Sequence, residues 1–250
     1  VVGEINCNCR KCPRCLSGLG NHCVDRTVVG IHRHDGAFAD QVAIPQTSLH
    51  IVPDSISDDQ AVLIEPLAAA LQIQQQIELS SVQNAIMLGD GRLANLCTQA
   101  ISQKVKNIKV VGKHELKLAR FRKLGIETIH LNDLICEKDF DLVVDCTGSV
   151  TGLPLALQLV QPRGTIVMKT TVAADHEVSL APVVIDEISV VGSRCGPFGL
   201  AIELLQADRF DLSGLVTHRF ALEEAEKAFQ MAVDPSAFKV VFDVMSTTAN

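Results

Sequence analysis

The sequence predicts an α/β protein in which a doubly wound parallel sheet is inserted into a β-rich domain. Three observations support this fold class. Short apolar segments alternate with amphipathic helical segments through the middle of the chain, a glycine-rich turn joins the first such pair, and both ends instead show short strand and turn patterns. We place the domain limits at 1–62, 63–206 and 207–250, with the parallel sheet in the middle range.

The composition excludes several classes of protein. The 250 residues are 47% hydrophobic and 20% charged, as in folded globular domains. A net charge of −7 provides no basic field, so we expect neither nucleic acid nor an anionic membrane as a partner. No uncharged apolar run reaches the ~18 residues of a membrane span. Nine cysteines cannot all pair as disulfides, and no secretory signal precedes them, so we expect a cytoplasmic protein.

The first chemical feature is a cysteine-rich segment, CNCRKCPRCLSGLGNHC, at residues 7–23. Four of its thiols follow the spacing C-x2-C-x2-C-x7-C: Cys9, Cys12, Cys15 and Cys23. Four thiolates at this spacing suit one zinc ion in a closed tetrahedral site, which leaves no position for water or substrate. An iron–sulfur cluster and a disulfide cluster are the alternatives, and Cys7 is a spare thiol that could replace Cys9. We therefore expect a structural zinc centre, with the active site elsewhere.

The next stretch predicts short strands and turns. Residues 36–58 alternate small and apolar side chains around Pro45 and Pro53. His32 and His34 stand just before an Asp-Gly turn, where exposed turn histidines are a commoner explanation than a metal site.

A helix is predicted from Asp58, because DDQAVLIEPLAAALQIQQQ places apolar residues at helical spacing behind two acids. Glu65 lies inside the apolar run, directly before Pro66. A carboxylate is costly to bury there unless it is paired or bound to a cation. Two interpretations stay open for Glu65: an acid at a helix start that faces solvent or backbone amides, and a residue of the functional site.

The segment AIMLGDGRLANLCTQAISQ predicts a strand, a glycine turn and a helix. Gly89 allows the tight turn, Gly91 lets the backbone approach a pyrophosphate, and the small Ala94 lets the helix pack on the strand. Free N–H groups at the start of the helix suit phosphate binding. A second strand, IKVVG, ends at Gly112, 18 residues after Ala94, and this context is typical of a dinucleotide-binding βαβ unit.

The residues after the second strand bear on which dinucleotide binds. NAD sites usually place Asp or Glu there, which accepts hydrogen bonds from the ribose hydroxyls. This sequence has Gly112, Lys113 and His114 instead, and we expect all three to contact the cofactor. We favour NADP over NAD, because a missing carboxylate removes repulsion against a 2′-phosphate while Lys113 and His114 supply positive charge. The nearby Glu115 counts against this preference.

The alternation continues toward the C-terminus. The predicted elements are a helix LKLARFRKLGI, a strand FDLVVDCTG, a helix LPLALQLVQPRG closed by a Pro-Arg-Gly turn, and the strands GTIVMKT and ISVVGSR. Ligands collect at the carboxyl ends of parallel strands, so we expect contacts from residues at those ends: Thr147, Gly148, Lys169 and Ser193. The tail LEEAEKAFQMAVDPSAFKVVFDV predicts a helix and a closing strand.

In their order along the chain, the four-cysteine lobe, DGAFADQV, IEPLAAAL, GDGRLA and a final KVVFDV resemble the zinc-containing medium-chain alcohol and polyol dehydrogenases, especially threonine- and sorbitol-dehydrogenase-like members. The resemblance spans essentially the whole chain. It implies a Rossmann domain inserted in a GroES-like catalytic domain, hydride transfer between an alcohol or polyol and NADP or NAD, and a homodimer or homotetramer. It also implies a second, catalytic zinc, which Glu65 coordinates or flanks.

The chain departs from the family pattern in one respect. The family takes its other catalytic ligands, a Cys and a His-Glu pair, from a segment before the cysteine lobe, and Val1 follows no such segment here. We therefore expect a fragment of a longer dehydrogenase, with a partial catalytic domain, that is not competent alone. A non-enzymatic NADPH-binding protein with a structural zinc only is one alternative. A zinc-ribbon interaction module is the other, and the acidic composition and the glycine motif argue against it.

Overall fold

The computed structural model describes residues 1–175 and 177–244. The chain divides into two compact units, one formed by Val1–Glu65 with the residues from Phe198 onward, the other by Pro66–Pro197. The domain limits derived from the sequence, with the sheet domain at 63–206, stay a prediction. Within the described residues, every helix is too short or too polar to cross a membrane.

Short elements joined by long loops make up residues 1–65. The strands are β1 (Val2–Gly3), β2 (Asn6–Cys7), β3 (Thr27–Val28) and β4 (Leu49–His50), and the helices are α1 (Pro13–Leu16) and α2 (Asp58–Ala61). β1 pairs antiparallel with β4, and β2 with β3. Of the short strands predicted for residues 36–58, β4 is the one that the described structure contains.

The single helix predicted from Asp58 is wrong, because the structure has three short ones: α2, α3 (Ile64–Leu71) and α4 (Ile73–Gln76). Pro66 explains the first break, since it has no N–H to donate and fits only in the first turn of a helix. α2 begins with a capping box, in which Ser57 and Gln60 satisfy each other's backbone N–H groups. Glu65 consequently lies in the first turn of α3.

The unit Pro66–Pro197 contains a six-stranded parallel sheet. Its strands are β5 (Asn84–Leu88), β6 (Asn107–Gly112), β7 (Glu127–His130), β8 (Phe140–Asp145), β9 (Val160–Met168) and β10 (Ser189–Gly192). Its helices are α5 (Arg92–Ser102), α6 (Glu115–Lys123), α7 (Gly152–Leu159) and α8 (Ala181–Ile185). The spatial order is β10-β9-β8-β5-β6-β7, so the winding reverses between β5 and β8. The predicted doubly wound sheet is confirmed.

The core of this unit explains why its strands are nearly continuous apolar runs. Ile86, Val143 and Ile166, on three neighbouring strands, have no exposed surface. Parallel strands carry such runs because helices cover both faces of the sheet.

Two details of the sheet differ from the sequence prediction. The strand β7 was not predicted, because ETIH is short and half-buried and lacks a strong apolar pattern. The predicted Pro-Arg-Gly turn after α7 is wrong, since β9 begins at Val160 and continues through it. Arg163 has a φ of +65°, and the pairing of β8 with β9 shifts after Phe140. An irregularity of this kind accommodates a proline within a strand.

Helix α3 and the segment after β10 approach each other very closely. A β-carbon on Gly196 would lie 1.8 Å from the carbonyl oxygen of Ala68, so only glycine fits there. The ammonium of Lys169 donates to the carbonyl oxygen of Ala69 at 2.6 Å and to the hydroxyl of Ser193 at 3.2 Å. These contacts fasten α3 to the carboxyl end of β9.

The C-terminal elements are α9 (Phe198–Gln206), β11 (Val216–Ala221), α10 (Ala225–Ala232) and β12 (Lys239–Asp243). β11 and β12 pair in parallel, so the predicted helix and closing strand are both present. Phe38 lies edge-on to Phe229 and Phe242, with ring centroids 5.6 and 5.2 Å away.

Candidate functional site

The glycine turn between β5 and α5 is the first part of the site. Gly89 has a φ of +115°, and a β-carbon there would lie 2.7 Å from the carbonyl oxygen of Cys146. Gly91 is the N-cap of α5, and a β-carbon on it would meet nothing within 4 Å, so the backbone is open to a ligand. The first N–H groups of a helix have no acceptor within it, and together with the open backbone they suit a pyrophosphate. Ala94, three residues after Gly91, is buried with 1% of its surface exposed.

A cavity of about 330 Å³ lies at the carboxyl ends of β5, β6 and β8, where the winding of the sheet reverses. Three turns contribute most of its wall, and the residues are Gly89, Asp90, Gly91, Gly112, Lys113, His114, Cys146, Thr147, Ser149 and Thr151. Open α/β sheets bind dinucleotides at this crevice. The cavity therefore brings together most of the residues that the sequence singled out for cofactor binding.

Three contacts predicted at the strand ends, Gly148, Lys169 and Ser193, are not part of the cavity wall. The N–H of Gly148 donates to the hydroxyl of Thr170 at 3.0 Å, which holds the third turn closed. Lys169 directs its ammonium to Ala69 and Ser193. Contacts of Gly148, Lys169 and Ser193 with a cofactor stay predictions.

Asp145, at the end of β8, positions Thr147 in the wall. Its Oδ1 accepts hydrogen bonds from the N–H and the hydroxyl of Thr147, at 2.9 and 2.7 Å, and from the hydroxyl of Thr170 at 2.9 Å. The side chain is fully buried, so it acts by holding the turn.

A carboxylate that the sequence analysis missed lies at the end of β6. Oδ2 of Asp90 accepts hydrogen bonds from the N–H groups of Lys113 and His114, at 2.7 and 2.8 Å, and lies 3.0 Å from Nδ1 of His114. A β-carbon on Gly112 would lie 2.6 Å from the same oxygen. The premise that no carboxylate stands at this point is therefore wrong, because the glycine turn supplies one. The sequence signal for this carboxylate was the acidic middle residue of Gly-Asp-Gly, at positions 89–91.

Cys146 adds a neutral sulfur to the cavity wall. Its hydrogen bond with Cys97, together with burial, raises the pKa of the Cys146 thiol well above its ordinary value. The thiol therefore stays protonated at neutral pH and adds no charge beside a bound phosphate.

The second candidate centre consists of the thiols of Cys9, Cys12, Cys15 and Cys23, whose sulfur atoms all lie within 4.8 Å of one another. Sulfurs on a tetrahedral zinc with Zn–S bonds of about 2.3 Å are about 3.8 Å apart, and those of Cys12 and Cys23 are 3.9 Å apart. The N–H of Cys9 also donates to the sulfur of Cys23 at 3.4 Å. Four soft donors at these distances fit a zinc ion.

The electrostatics of this cluster suit a cation. A hydrogen bond from the backbone of Cys15 lowers the pKa of the Cys12 thiol to about 6, and burial raises the pKa of Cys15 to about 12. The Cys12 thiol therefore ionises readily, whereas the Cys15 thiol needs a bound metal in order to ionise. Cys7 is buried but is not a member of the cluster.

Glu65 is half-buried in the first turn of α3. Within 1–175 and 177–244, the four cysteines form the sole group of three or more His, Cys, Asp or Glu side chains that could hold a metal, so Glu65 belongs to no such group. His32 is exposed and His34 contacts the carbonyl of Asp35 at 2.9 Å, as turn histidines do. The role of Glu65 stays a prediction.

Comparisons with known proteins show which proteins the chain resembles as a whole. No family model matches the chain. It is 26% identical over 249 residues to a sorbitol dehydrogenase of Halalkalibacterium halodurans, covering 93% of this chain and 72% of the relative. It is 25% identical over 256 residues to the L-threonine 3-dehydrogenase of Escherichia coli K12, covering 96% of this chain and 74% of the relative.

Solved structures establish the fold. A zinc-binding dehydrogenase of Sinorhizobium meliloti bound to NADP has a TM-score of 0.87 and 22% identity, covering 97% of this chain and 76% of that one. An alcohol dehydrogenase of Escherichia coli CFT073 complexed with NADH has the same TM-score, identity and coverage.

The chain thus shares its fold with dehydrogenases solved with NADP and with NADH, and its cysteine centre fits a zinc ion. The predicted resemblance is confirmed as a similarity: the chain is similar in sequence to a sorbitol and a threonine dehydrogenase, which are oxidoreductases, and in fold to an L-idonate 5-dehydrogenase.

Proposed function

We propose that the chain transfers hydride between a small alcohol or polyol and a nicotinamide dinucleotide, as part of a zinc-dependent dehydrogenase. The observation that carries this proposal is the dinucleotide-type cavity at the reversal of the sheet, in a chain that also brings four thiols together around one point. Its similarity to a sorbitol and a threonine dehydrogenase supports the substrate class.

Different residues of the chain would bind different parts of the dinucleotide. Gly91 and the first turn of α5 would hold the pyrophosphate, and the turn Gly112–His114 would hold the adenosine ribose. Thr147, fixed by Asp145, forms the opposite wall. The four cysteines would close residues 9–23 around a zinc ion with no free coordination position, so this centre shapes the lobe and does not touch the substrate.

We also propose Glu65 as a ligand or neighbour of a catalytic zinc, on the basis of the family resemblance. When bound, such an ion polarises the substrate oxygen and eases loss of the hydroxyl proton. Glu65 lies in the first turn of α3, where the helix dipole favours the ionised carboxylate that a metal would require.

The test measures zinc per chain and the oxidation of sorbitol and L-threonine with NAD and with NADP. Bound zinc together with alcohol oxidation would support the proposal, and Glu65→Gln should abolish the oxidation while retaining the cysteine-bound zinc. Glu78→Gln is the matched control, because Glu78 is an acid that caps a short helix. Dinucleotide binding and one zinc ion per chain, with no alcohol oxidation even when a segment carrying the family's Cys and His-Glu pair precedes Val1, would favour the alternative, an NADPH-binding protein with a structural zinc only.

We propose that the chain forms a homodimer or homotetramer through the edge of its sheet. β10 is the last strand, Val190 on it is 43% exposed, and Val184 and Ile185 of the adjoining α8 are each 77% exposed. An exposed apolar edge strand is a template for pairing with another chain. Light scattering should show an oligomer that Val190→Lys dissociates, and a monomeric wild type would contradict this.

A cytoplasmic location is also proposed. All nine cysteines are free thiols in the structure, a state that a reducing compartment maintains. Cell fractionation would test it, and recovery from an oxidising compartment with intact disulfides would contradict it.

A further inference from the structure

We infer that Asp90 disfavours binding of a 2′-phosphate at the adenosine end of the dinucleotide site, and so helps to set the preference between NAD and NADP. This inference rests on the proposed function and deepens it by naming a specificity-determining residue. In dinucleotide-binding folds an acid at the end of the second strand usually contacts the ribose hydroxyls. The corresponding strand here, β6, ends at Gly112, which has no side chain.

Asp90 and a side chain at position 112 would compete for the same space. A β-carbon on Gly112 would lie 2.6 Å from both Cβ and Oδ2 of Asp90, well inside contact distance. Only one of the two positions can therefore carry a side chain without rearrangement. The glycine turn brings a carboxylate to the place that an acid at the end of β6 would otherwise reach.

The hydrogen bonds of Asp90 occupy backbone N–H groups that an incoming phosphate could otherwise use. Its Oδ2 accepts from the N–H groups of Lys113 and His114, the two amides that follow β6. Those amides are consequently satisfied before any ligand binds. Nδ1 of His114 lies 3.0 and 3.1 Å from the two carboxylate oxygens, so the imidazole also faces Asp90.

The carboxylate still has capacity for a sugar hydroxyl. Two carboxylate oxygens offer about four lone-pair sites, and Oδ2 carries both backbone hydrogen bonds. Oδ1 lies 3.1 Å from Nδ1 of the His114 ring and carries neither of the two backbone hydrogen bonds. Asp90 is part of the cavity wall with its side chain 10% exposed, so a ligand can reach it. A ribose hydroxyl is a donor that this oxygen can accept, whereas a phosphate dianion is repelled.

Cationic side chains in the same cavity wall favour binding of a 2′-phosphate. Lys113 and Lys117 line the cavity beside Asp90 and attract phosphate groups. The preference between the two dinucleotides thus depends on opposing charges, and Asp90 is the one that disfavours NADP. Neutralising Asp90 shifts that preference toward NADP, whichever dinucleotide the wild type prefers.

The test is Asp90→Asn, which removes the charge and keeps an oxygen that can accept from the two amides. Titration calorimetry on the full chain would compare 5′-AMP with adenosine 2′,5′-bisphosphate, and NADH with NADPH. We expect the affinity ratio to move about tenfold toward the 2′-phosphorylated ligand of each pair, equivalent to about 1.4 kcal/mol. Glu115→Gln is the control, since Glu115 is an exposed neighbouring acid that pairs with Arg122, and we expect less than about a twofold change.

Three results would overturn the inference. The first is an unchanged affinity ratio in Asp90→Asn, and the second is an equal shift in Glu115→Gln. Binding of neither NADH nor NADPH to the wild type is the third, and it would overturn the proposed function as well. Circular dichroism would verify that the variants fold, and Asp90→Ser, which is smaller and also neutral, should give the same direction of shift.

Discussion

Replacing Gly89 by alanine should destabilise the sheet unit severely. The φ of +115° is strained for any residue with a β-carbon. The new methyl group would also lie 2.7 Å from the carbonyl oxygen and 2.9 Å from the carbonyl carbon of Cys146. That carbonyl belongs to the turn after β8, so the two central strands must separate or the glycine turn must change its path.

The expected loss combines two costs. A residue held at such a φ costs about 1–3 kcal/mol, and forcing a methyl group into a packed backbone costs about 1–3 kcal/mol more. The free energy of unfolding should therefore fall by about 2–6 kcal/mol. With a urea m value of about 2 kcal/mol/M, the unfolding midpoint should fall by about 1–3 M.

Far-UV circular dichroism in urea is the suitable assay, because the chain has no Trp and no Tyr to report by fluorescence. Gly91→Ala is the matched control, since its methyl group would meet no atom within 4 Å. It should unfold near the wild-type midpoint yet bind NADH or NADPH more weakly, because the methyl group occupies the approach of the pyrophosphate. A Gly89→Ala midpoint equal to that of the wild type would refute the steric reasoning.

Three further predictions concern single residues. Cys15→Ser should lower bound zinc from about one ion per chain to near zero, while Cys7→Ser retains it; equal loss from both variants would contradict the four-thiol centre. The raised pKa of Cys146 should make its alkylation by iodoacetamide slow at pH 7 and faster as the pH rises, with exposed Cys136 as the comparison; mass spectrometry of the two peptides would decide. Gly112→Ala should lower the free energy of unfolding by about 1–3 kcal/mol, since its methyl group meets the neighbouring turn at 2.6 Å, and an unchanged midpoint would contradict this.

Much of the sheet unit could be predicted because its signals are local. Apolar strands followed by amphipathic helices, with glycines at 89 and 91, specify a βαβ unit within one stretch of sequence. The strand β7 escaped prediction because its side chains are only half-buried, so the apolar pattern is weak. The path of β9 through Pro162 was not predicted, because proline and glycine usually mark turns. The irregularity that accommodates them depends on the pairing of β9 with β8, which the local sequence does not indicate.

The candidate site was predicted only in part for a related reason. The cysteine spacing is a local signal, and the structure does gather those four sulfurs. The position of Asp90 beside Gly112 depends on two turns that are 22 residues apart, and no periodicity within either turn indicates it. The argument for NADP considered only residues next to one another in sequence. A carboxylate that arrives from a different turn is visible only once β5 and β6 are side by side.

The close approach of Gly196 to Ala68 has a consequence for the order in which the chain folds on the ribosome. Lys169 reaches Ala69 across 100 residues of sequence, and Gly196 lies further along still. At about 5–20 residues per second, roughly 5–20 s pass between synthesis of helix α3 and emergence of its lysine partner. Helix α3, whose Leu67 and Leu71 have no exposed surface in the finished fold, lacks its contacts with Lys169 and Gly196 during this interval. Helix α3 is therefore the segment of the nascent sheet unit that we expect chaperones to bind, until the last two strands arrive.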